Sequence, residues 1–327
     1  MVNIQKIKLD KTDRIILAQL DKNCRIHSNK LAKLTKKSRQ SIDYRIKRLV
    51  EEKVITSFNT AINPHKMGYK IYKLYLQLRN VPSEKQKIFK FLRNSGFVYW
   101  MGECDGTWDF ICGFYSKSDQ DYYNLKNKLV SEFGHIIVKR FGDVIVDVKQ
   151  YEKMYFTNKI QKPTMFGGKI ENNKMTELDL AILDIIVNNA RIPIVELAKK
   201  TKTTPQTVSN RIKRMQDLGI IIQYRIGINL DALGLELYKA IIHIDRYTQK
   251  DEKELLNYIS SYPNMHYFIR NIWNIEPELV VSDYHEYSEI IDEIKMKFPH
   301  VIRNVESVVM KTDEWTPGFK NIFHARD

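Results

Sequence analysis

Sliding the 327-residue sequence along itself gives a gap-free internal match at an offset of 166 positions. The window Asp13–Lys73 aligns with Asp179–Lys239, and about 22 of the 61 paired positions are identical. The matches include Ile16-Leu17, Arg25-Ile26, Leu31-Ala32-Lys33, Gln40, Arg45-Ile46-Lys47-Arg48, Ile62-Asn63, Gly68 and Tyr72-Lys73. A solenoid would repeat every ~20–50 residues in more than two copies. Two long copies mean instead that a whole multi-element unit is duplicated. Between them TNKIQKPTMFGGKIENNK, residues 157–174, is rich in Lys and Asn and holds a Pro and a Gly-Gly pair. That composition reads as a linker. Stretched, it spans about 60 Å, which leaves the two halves free to take many relative positions.

Each copy opens with helix signals. Asp10-x-x-Asp13 and Thr176-x-x-Asp179 set a capping residue three positions before an acid, which also suits the helix dipole. Ile16, Leu17 and Leu20, and Ile182, Leu183 and Ile186, then follow at the spacing of one buried face. A short second helix is predicted near Lys30–Thr35 and Glu196–Thr201. A third begins at the N-caps Ser38 and Thr204.

In the third helix Ile42, Ile46 and Leu49, like Val208, Ile212 and Met215, form a single apolar stripe. The remaining surface carries Arg39, Gln40, Ser41, Tyr44, Arg45, Lys47 and Arg48 in the first copy. The second presents Pro205, Gln206, Thr207, Asn210, Arg211, Lys213 and Arg214. Arg and Gln pair bidentately with guanine and adenine edges in the major groove. Lys, Arg, Ser and Thr suit phosphates, as do the amides of a helix N-terminus. From Lys36 to Lys53 seven basic residues face three acidic ones. VITSFNTAI and IIIQYRIGI follow, alternating like a small strand pair, the wing of a winged helix-turn-helix domain. Lys53 stands where Gly219 of the second copy suits a left-handed cap.

The rest of each copy is α/β. In the first, a strand at 69–79 is followed by a helix near Ser83–Asn94 and strands near Phe97–Glu103 and Trp108–Tyr115. A helix near Asp119–Phe133 and a long strand near Ile136–Val148 complete it. The second copy gives strands near Leu235–Asp245, Met265–Arg270, Glu278–Ser282 and Val301–Lys311, with helices near Lys250–Ser261 and His285–Phe298. This βαββαβ order is that of a ferredoxin-like sandwich. The expected fold is therefore α+β, two tandem units of a winged helix-turn-helix and a ferredoxin-like domain. Its divisions are 1–63, 64–156, the linker 157–174, 175–229 and 230–327.

Bulk properties fit such a chain. Lys+Arg 53 against Asp+Glu 39 gives a formal charge of +14, which favours a polyanionic partner. No apolar run reaches the ~18 residues of a membrane span, and MVNIQKIKLDKTD lacks the apolar core of a secretion signal. Cys24, Cys104 and Cys112 make an odd count without C-x-x-C spacing. They read as reduced, buried thiols of a cytoplasmic protein, with neither a disulfide framework nor a metal site expected.

With these residues in hand the chain resembles the Lrp/AsnC family of feast/famine transcription regulators. The pattern LD-x-x-D-x-x-IL, N-x-R, LA, RI-x-RL and VI is met by Leu9–Ile55 and again, with minor changes, by Met175–Ile221. The resemblance implies double-stranded DNA as partner and no cofactor. It implies pairing through the α/β domains, as an intramolecular pseudo-dimer or a homodimer, and a small effector such as an amino acid. The family's G-x-x-D turn is kept at Gly106 to Asp109, which makes Gly106 and Asp109 the candidate effector residues. Asp109 equally suits a structural role in tying down the turn. NIWNIEPEL, 271–279, lacks the glycine and carries Pro277.

Two other readings stand beside this one. The chain also resembles in outline the sirohaem decarboxylases, which share the two-domain plan, and His266, His285 and Trp273 would then be the candidates for tetrapyrrole contact. No nucleophile–base pair, paired carboxylates or phosphate loop supports catalysis in the sequence. A ligand-sensing protein without DNA binding is the third reading.

Overall fold

The computed structural model describes residues 7–156 and 163–315. Helix α1 (Lys11–Lys22) opens on a capping box: Asp10 accepts from the Asp13 amide at 2.8 Å, and Asp13 accepts from the Asp10 amide at 3.3 Å. Helices α2 (Ser28–Thr35) and α3 (Arg39–Glu51) pack on it through Leu31, Ile42, Ile46 and Leu49. The turn after α3 is left-handed at Lys53 (φ 56°).

Strand β1 (Ile55–Ile62) leads into β2 (Lys70–Leu78), α4 (Pro82–Asn94), β3 (Val98–Gly106), β4 (Phe110–Ser116), α5 (Asp119–Phe133) and β5 (Ile137–Gln150). A short strand β6 (Thr164–Gly167) follows. The second half repeats the order: α6 (Glu177–Ile186), α7 (Ile194–Lys200), α8 (Pro205–Asp217) and β7 (Ile221–Ile228), then β8 (Glu236–Ile244), α9 (Gln249–Ile259), β9 (Met265–Asn271), β10 (Asn274–Val281), α10 (Tyr284–Lys297) and β11 (Ile302–Met310). It closes with β12 (Glu314–Trp315).

The wing differs from the sequence expectation. Each copy contributes one strand, and β1 pairs antiparallel with β7 of the other half, Ile55 opposite Ile228 and Ile62 opposite Ile221. Flanking bonds repeat the two-fold relation. The Cys24 amide donates to Tyr224 O and the Ala190 amide to Phe58 O, both at 2.9 Å, positions related by the repeat offset. One strand per copy leaves a bare edge, and the partner copy supplies the missing ladder.

Within each half the sheet order is that of a ferredoxin-like fold, β3-β4-β2-β5 and β9-β10-β8-β11. Strand β2 shows why two cores form. Tyr72, Leu74 and Leu76 lie under α4 and α5, while Ile71 and Tyr75 face the layer between the sheets. The two sheets join through β5–β9 and β3–β11, so the eight strands close into a ring. Gly106 sits on the second seam at φ +113°, where a Cβ would meet Ser307 O at 2.5 Å, so only glycine fits. Strand β10 begins at Asn274, four residues before the expected Glu278, and so contains Pro277. Within β10 Pro277 stands opposite Phe268 of β9.

The segment between the halves is not a free tether. Residues 157–162 lie outside the described residues, but β6 adds to β5 and the Gly167 amide donates to Asn63 Oδ1 at 3.0 Å. His65 Nδ1 meets Gly168 O at 2.8 Å, and Lys66 Nζ pairs with Glu171 at 2.6 Å. Backbone groups of this stretch find ladder partners, which overrides a composition typical of loops.

A charged network fills the layer between the sheets. Lys73 and Lys239, equivalent positions of the repeat, both reach Glu276, Lys239 also reaches Glu278, and Tyr75 Oη donates to Glu276. Burial would raise the Glu276 carboxyl, but Lys73 and Lys239 bring it down to about 2. Burial lowers Lys73 to about 8. Glu276→Gln leaves two buried ammonium groups with one carboxylate, and the expected loss in urea unfolding is about 3–5 kcal/mol. Because the folded-state pKa of Glu276 is depressed, its contribution is complete above the ordinary glutamate value of ~4.3 and disappears as pH falls toward 2. The variant should therefore flatten the acid limb of the unfolding curve.

Candidate nucleic-acid interface

Helices α3 and α8 are set by the same devices. Ser38 Oγ accepts from the Ser41 amide at 3.2 Å and Thr204 Oγ1 from the Thr207 amide at 3.1 Å, so each hydroxyl caps its helix. The stripes Ile42, Ile46, Leu49 and Val208, Ile212, Met215 are buried. Opposite them Arg39, Gln40, Tyr44 and Lys47 are exposed on α3, and Pro205, Gln206, Asn210 and Lys213 on α8. Ser41 and Thr207 are half-buried beside their caps. Gln206 Nε2 donates to Asn210 Oδ1 at 3.0 Å, which holds both amides on one ridge.

The remaining arginines have another engagement. Arg45 Nη1 lies 2.8 Å from both Asp10 and Asp13, and Arg48 Nη2 lies 2.7 Å from Asp13. In the second copy Arg214 and Arg211 approach Asp179 at 3.2 and 3.7 Å. Asp13 and Asp179 are buried, so these carboxylates need their cations. Hydrogen bonds from Arg45 to Asp10 and Asp13 raise its pKa further. The Arg45 and Arg211 side chains keep 20% and 34% of their surface exposed, whereas Lys47 keeps 76%. The sequence reading placed Arg45 and Arg211 near base edges; the structure assigns them first to clamping the recognition helix onto the first helix. The repeated Asp13/Asp179 with RIKR was the available signal.

One surface group was missed. Asp43 is exposed on α3, accepts from Ser28 Oγ at 2.5 Å and lies 3.5 Å from Arg39 Nε. It pairs with Arg39 one turn earlier on the same exposed face of α3. The second copy has Ser209 at this position, hydrogen-bonded to Pro205 O at 2.9 Å.

The other candidates do not gather into a site. Asp109 accepts from the Leu78 amide at 2.8 Å and from Lys85 Nζ at 2.6 Å, tying the turn to β2 and α4. Gly106 belongs to the β3–β11 seam. His266 is buried on β9, while His285 pairs with Glu289 on the surface of α10 and Trp273 is 71% exposed at the β9–β10 turn. The three cysteines are buried and free, and burial raises Cys24 and Cys104 to about 12. Among the described residues no group of three or more His, Cys, Asp or Glu is placed to hold a metal ion, and no helix is long and apolar enough to cross a membrane. Arg45→Ala should lower stability by about 1–3 kcal/mol in urea unfolding, since Asp13 loses a charged partner. Lys47→Ala should cost under ~0.5 kcal/mol.

A family description of winged helix-turn-helix DNA-binding domains matches residues 9–56 and again residues 175–222. The chain is similar to LrpC, an HTH-type transcriptional regulator of Bacillus subtilis, at 28% identity over 97 residues, covering 30% of this chain and 66% of LrpC. It is similar to the regulatory protein AsnC of Escherichia coli K12 at 35% identity over 68 residues, covering 21% of this chain and 45% of AsnC. The matched stretches thus span less than two thirds of these relatives' own length. Among solved structures, the siroheme decarboxylase NirDL superposes with a TM-score of 0.64 at 12% identity, over 96% of this chain and 97% of that one. That likeness is one of fold, and it extends to the tandem arrangement. The winged helix-turn-helix DNA-binding description is thus met once in each half, and the chain is similar to transcriptional regulators of the Lrp/AsnC type.

Proposed function

We propose that the chain is a sequence-specific DNA-binding transcription regulator, not an enzyme, with two unlike heads that engage one double-stranded site. The observation that carries this reading is the pair of capped helices α3 and α8, each with a buried apolar stripe and an exposed polar one, joined by the β1–β7 ribbon. Arg39, Gln40 and Tyr44 read bases for the first head, and Gln206 and Asn210 for the second. Lys47, Lys213 and the helix N-termini around Ser38, Ser41, Thr204 and Thr207 hold phosphates. Arg45, Arg48, Arg211 and Arg214 keep their clamps and lend outward donors to the backbone. Such a regulator acts in the cytoplasm.

The heads differ where Arg39, Asp43 and Tyr44 face Pro205, Ser209 and Asn210, so the preferred site is not a perfect palindrome. Half-sites fall about one helical turn apart, ~34 Å, or a multiple of it. The shared architecture with a decarboxylase does not extend to a gathered tetrapyrrole site from His266, His285 and Trp273.

Selection of bound fragments from random DNA, followed by retardation assays, tests the proposal. Gln40→Ala and Gln206→Ala should each cost about 1–3 kcal/mol at one base pair of their own half-site and leave the other half-site unchanged. With ~6–10 phosphate contacts, affinity should fall ~10³–10⁵-fold between 50 and 200 mM salt. A flat salt response, or selection that returns no sequence, would refute the reading.

A further inference from the structure

Asp43 is the one acid of helix α3 ahead of its final residue, Glu51, and it lies on the face turned to solvent. A carboxylate there repels the phosphates that its neighbours Arg39 and Lys47 attract, so it weakens binding to DNA of any sequence. Its two oxygens are held from two sides. Oδ1 accepts from Ser28 Oγ at 2.5 Å, at the start of α2, and Oδ2 lies 3.5 Å from Arg39 Nε. An exposed ion pair one turn apart contributes little by itself, because two long side chains must be ordered to make it. Here the acid is short and already fixed by a second helix, so only Arg39 has to be ordered.

Arg39 is also the arginine that the clamps leave over. Arg45, Arg48, Arg211 and Arg214 each turn a terminal nitrogen to Asp13 or Asp179. Arg39 meets its acid at Nε, which leaves both terminal nitrogens outside that contact on a side chain 69% exposed. Those two nitrogens form the fork that pairs with O6 and N7 of guanine. A guanidinium tethered at Nε holds its fork in fewer orientations, so less freedom is lost when a guanine is met. The second copy has none of these parts. Ile194, Pro205 and Ser209 stand at the positions of Ser28, Arg39 and Asp43.

We propose that Asp43 is a positioning residue that sets the base preference of the first head, holding Arg39 for a guanine and penalising DNA that lacks one. The proposal rests on the regulator reading above and deepens it. Where guanine is present, the two bonds from Arg39 offset the repulsion between carboxylate and phosphates; where it is absent, the repulsion stands. Discrimination therefore comes with weaker binding overall, and it is confined to one half-site.

Selection from random DNA with the full chain, then titration of the selected fragment at one fixed salt concentration, tests this. Arg39→Ala locates the base pair. Changing one G·C pair of the selected site to A·T should weaken the unaltered chain at least about tenfold, and Arg39→Ala less than about twofold. Asp43→Ser, which installs the residue of the second copy, should bring that ratio below about threefold and bind an unrelated fragment at least about twofold tighter. Its preferences across the second half-site should be unchanged. Both side chains are exposed, and thermal unfolding verifies that the variants are folded. A pair that only stabilised the helix would shift the unfolding and leave the base ratio intact. Asp43→Ser with the full guanine ratio overturns the proposal, as does a loss spread over both half-sites. If the unaltered chain selects a site in which no G·C pair depends on Arg39, the proposal falls and the regulator reading stands. If it selects no sequence at all, both fall.

Discussion

A four-stranded sheet ends in two rows of amides and carbonyls that must find partners or water. In this chain each row of one half is met by a strand of the other. β5 joins β9, β11 joins β3, and the lone wing strands β1 and β7 join each other. The rest of the architecture follows from these three seams. They close the ring of strands, bury the layer between the sheets and bring both helix-turn-helix units onto one ribbon. Crossed contacts such as Asn63 N to Ile220 O and Asn229 N to Val54 O then hold each ribbon strand to the other half's turn.

The halves are alike at the seams and unlike inside. Lys73 and Lys239 come from the repeat, but both carboxylates that neutralise them, Glu276 and Glu278, come from β10. At the equivalent positions the corresponding strand β4 carries Ile111 and Gly113 instead, Gly113 standing opposite Lys73 as Glu278 stands opposite Lys239. Two first halves packed together would bury lysines without acids, and two second halves would bury a surplus of acids. Either mismatch costs several kcal/mol. Charge stoichiometry in the buried layer thus favours pairing of a first half with a second half, and the docked segment around β6 keeps the two halves of one chain adjacent.

The recognition helices divide their basic residues between two tasks. The arginines one and two turns in, Arg45 and Arg48 with Arg211 and Arg214, turn back to the acids that cap the first helix of each copy. Residues nearer the N-terminus are exposed, and their differences between the copies give each helix its own surface. The same division leaves fewer unpaired arginines on these helices than their sequence suggests.

Much was legible in the sequence because the relevant forces are local. Capping at Asp10, Ser38, Thr176 and Thr204, the apolar stripes of α3 and α8, and the βαββαβ order depend on neighbours a few residues apart. The offset of 166 followed from identities alone. What tertiary structure decided involves partners far apart in the chain. The wing became a strand shared between halves, the Lys- and Asn-rich connector became β6, Pro277 entered a central strand, and Asp109 and Arg45 found structural partners. The cluster of Asp21, Lys153 and Arg225 could not be read from spacing, since these residues meet only after the seams have closed. Local sequence chooses the elements because hydrogen bonds and hydrophobic periodicity act over a turn or two. Charge pairing and edge completion act through space, so only the folded chain settles them.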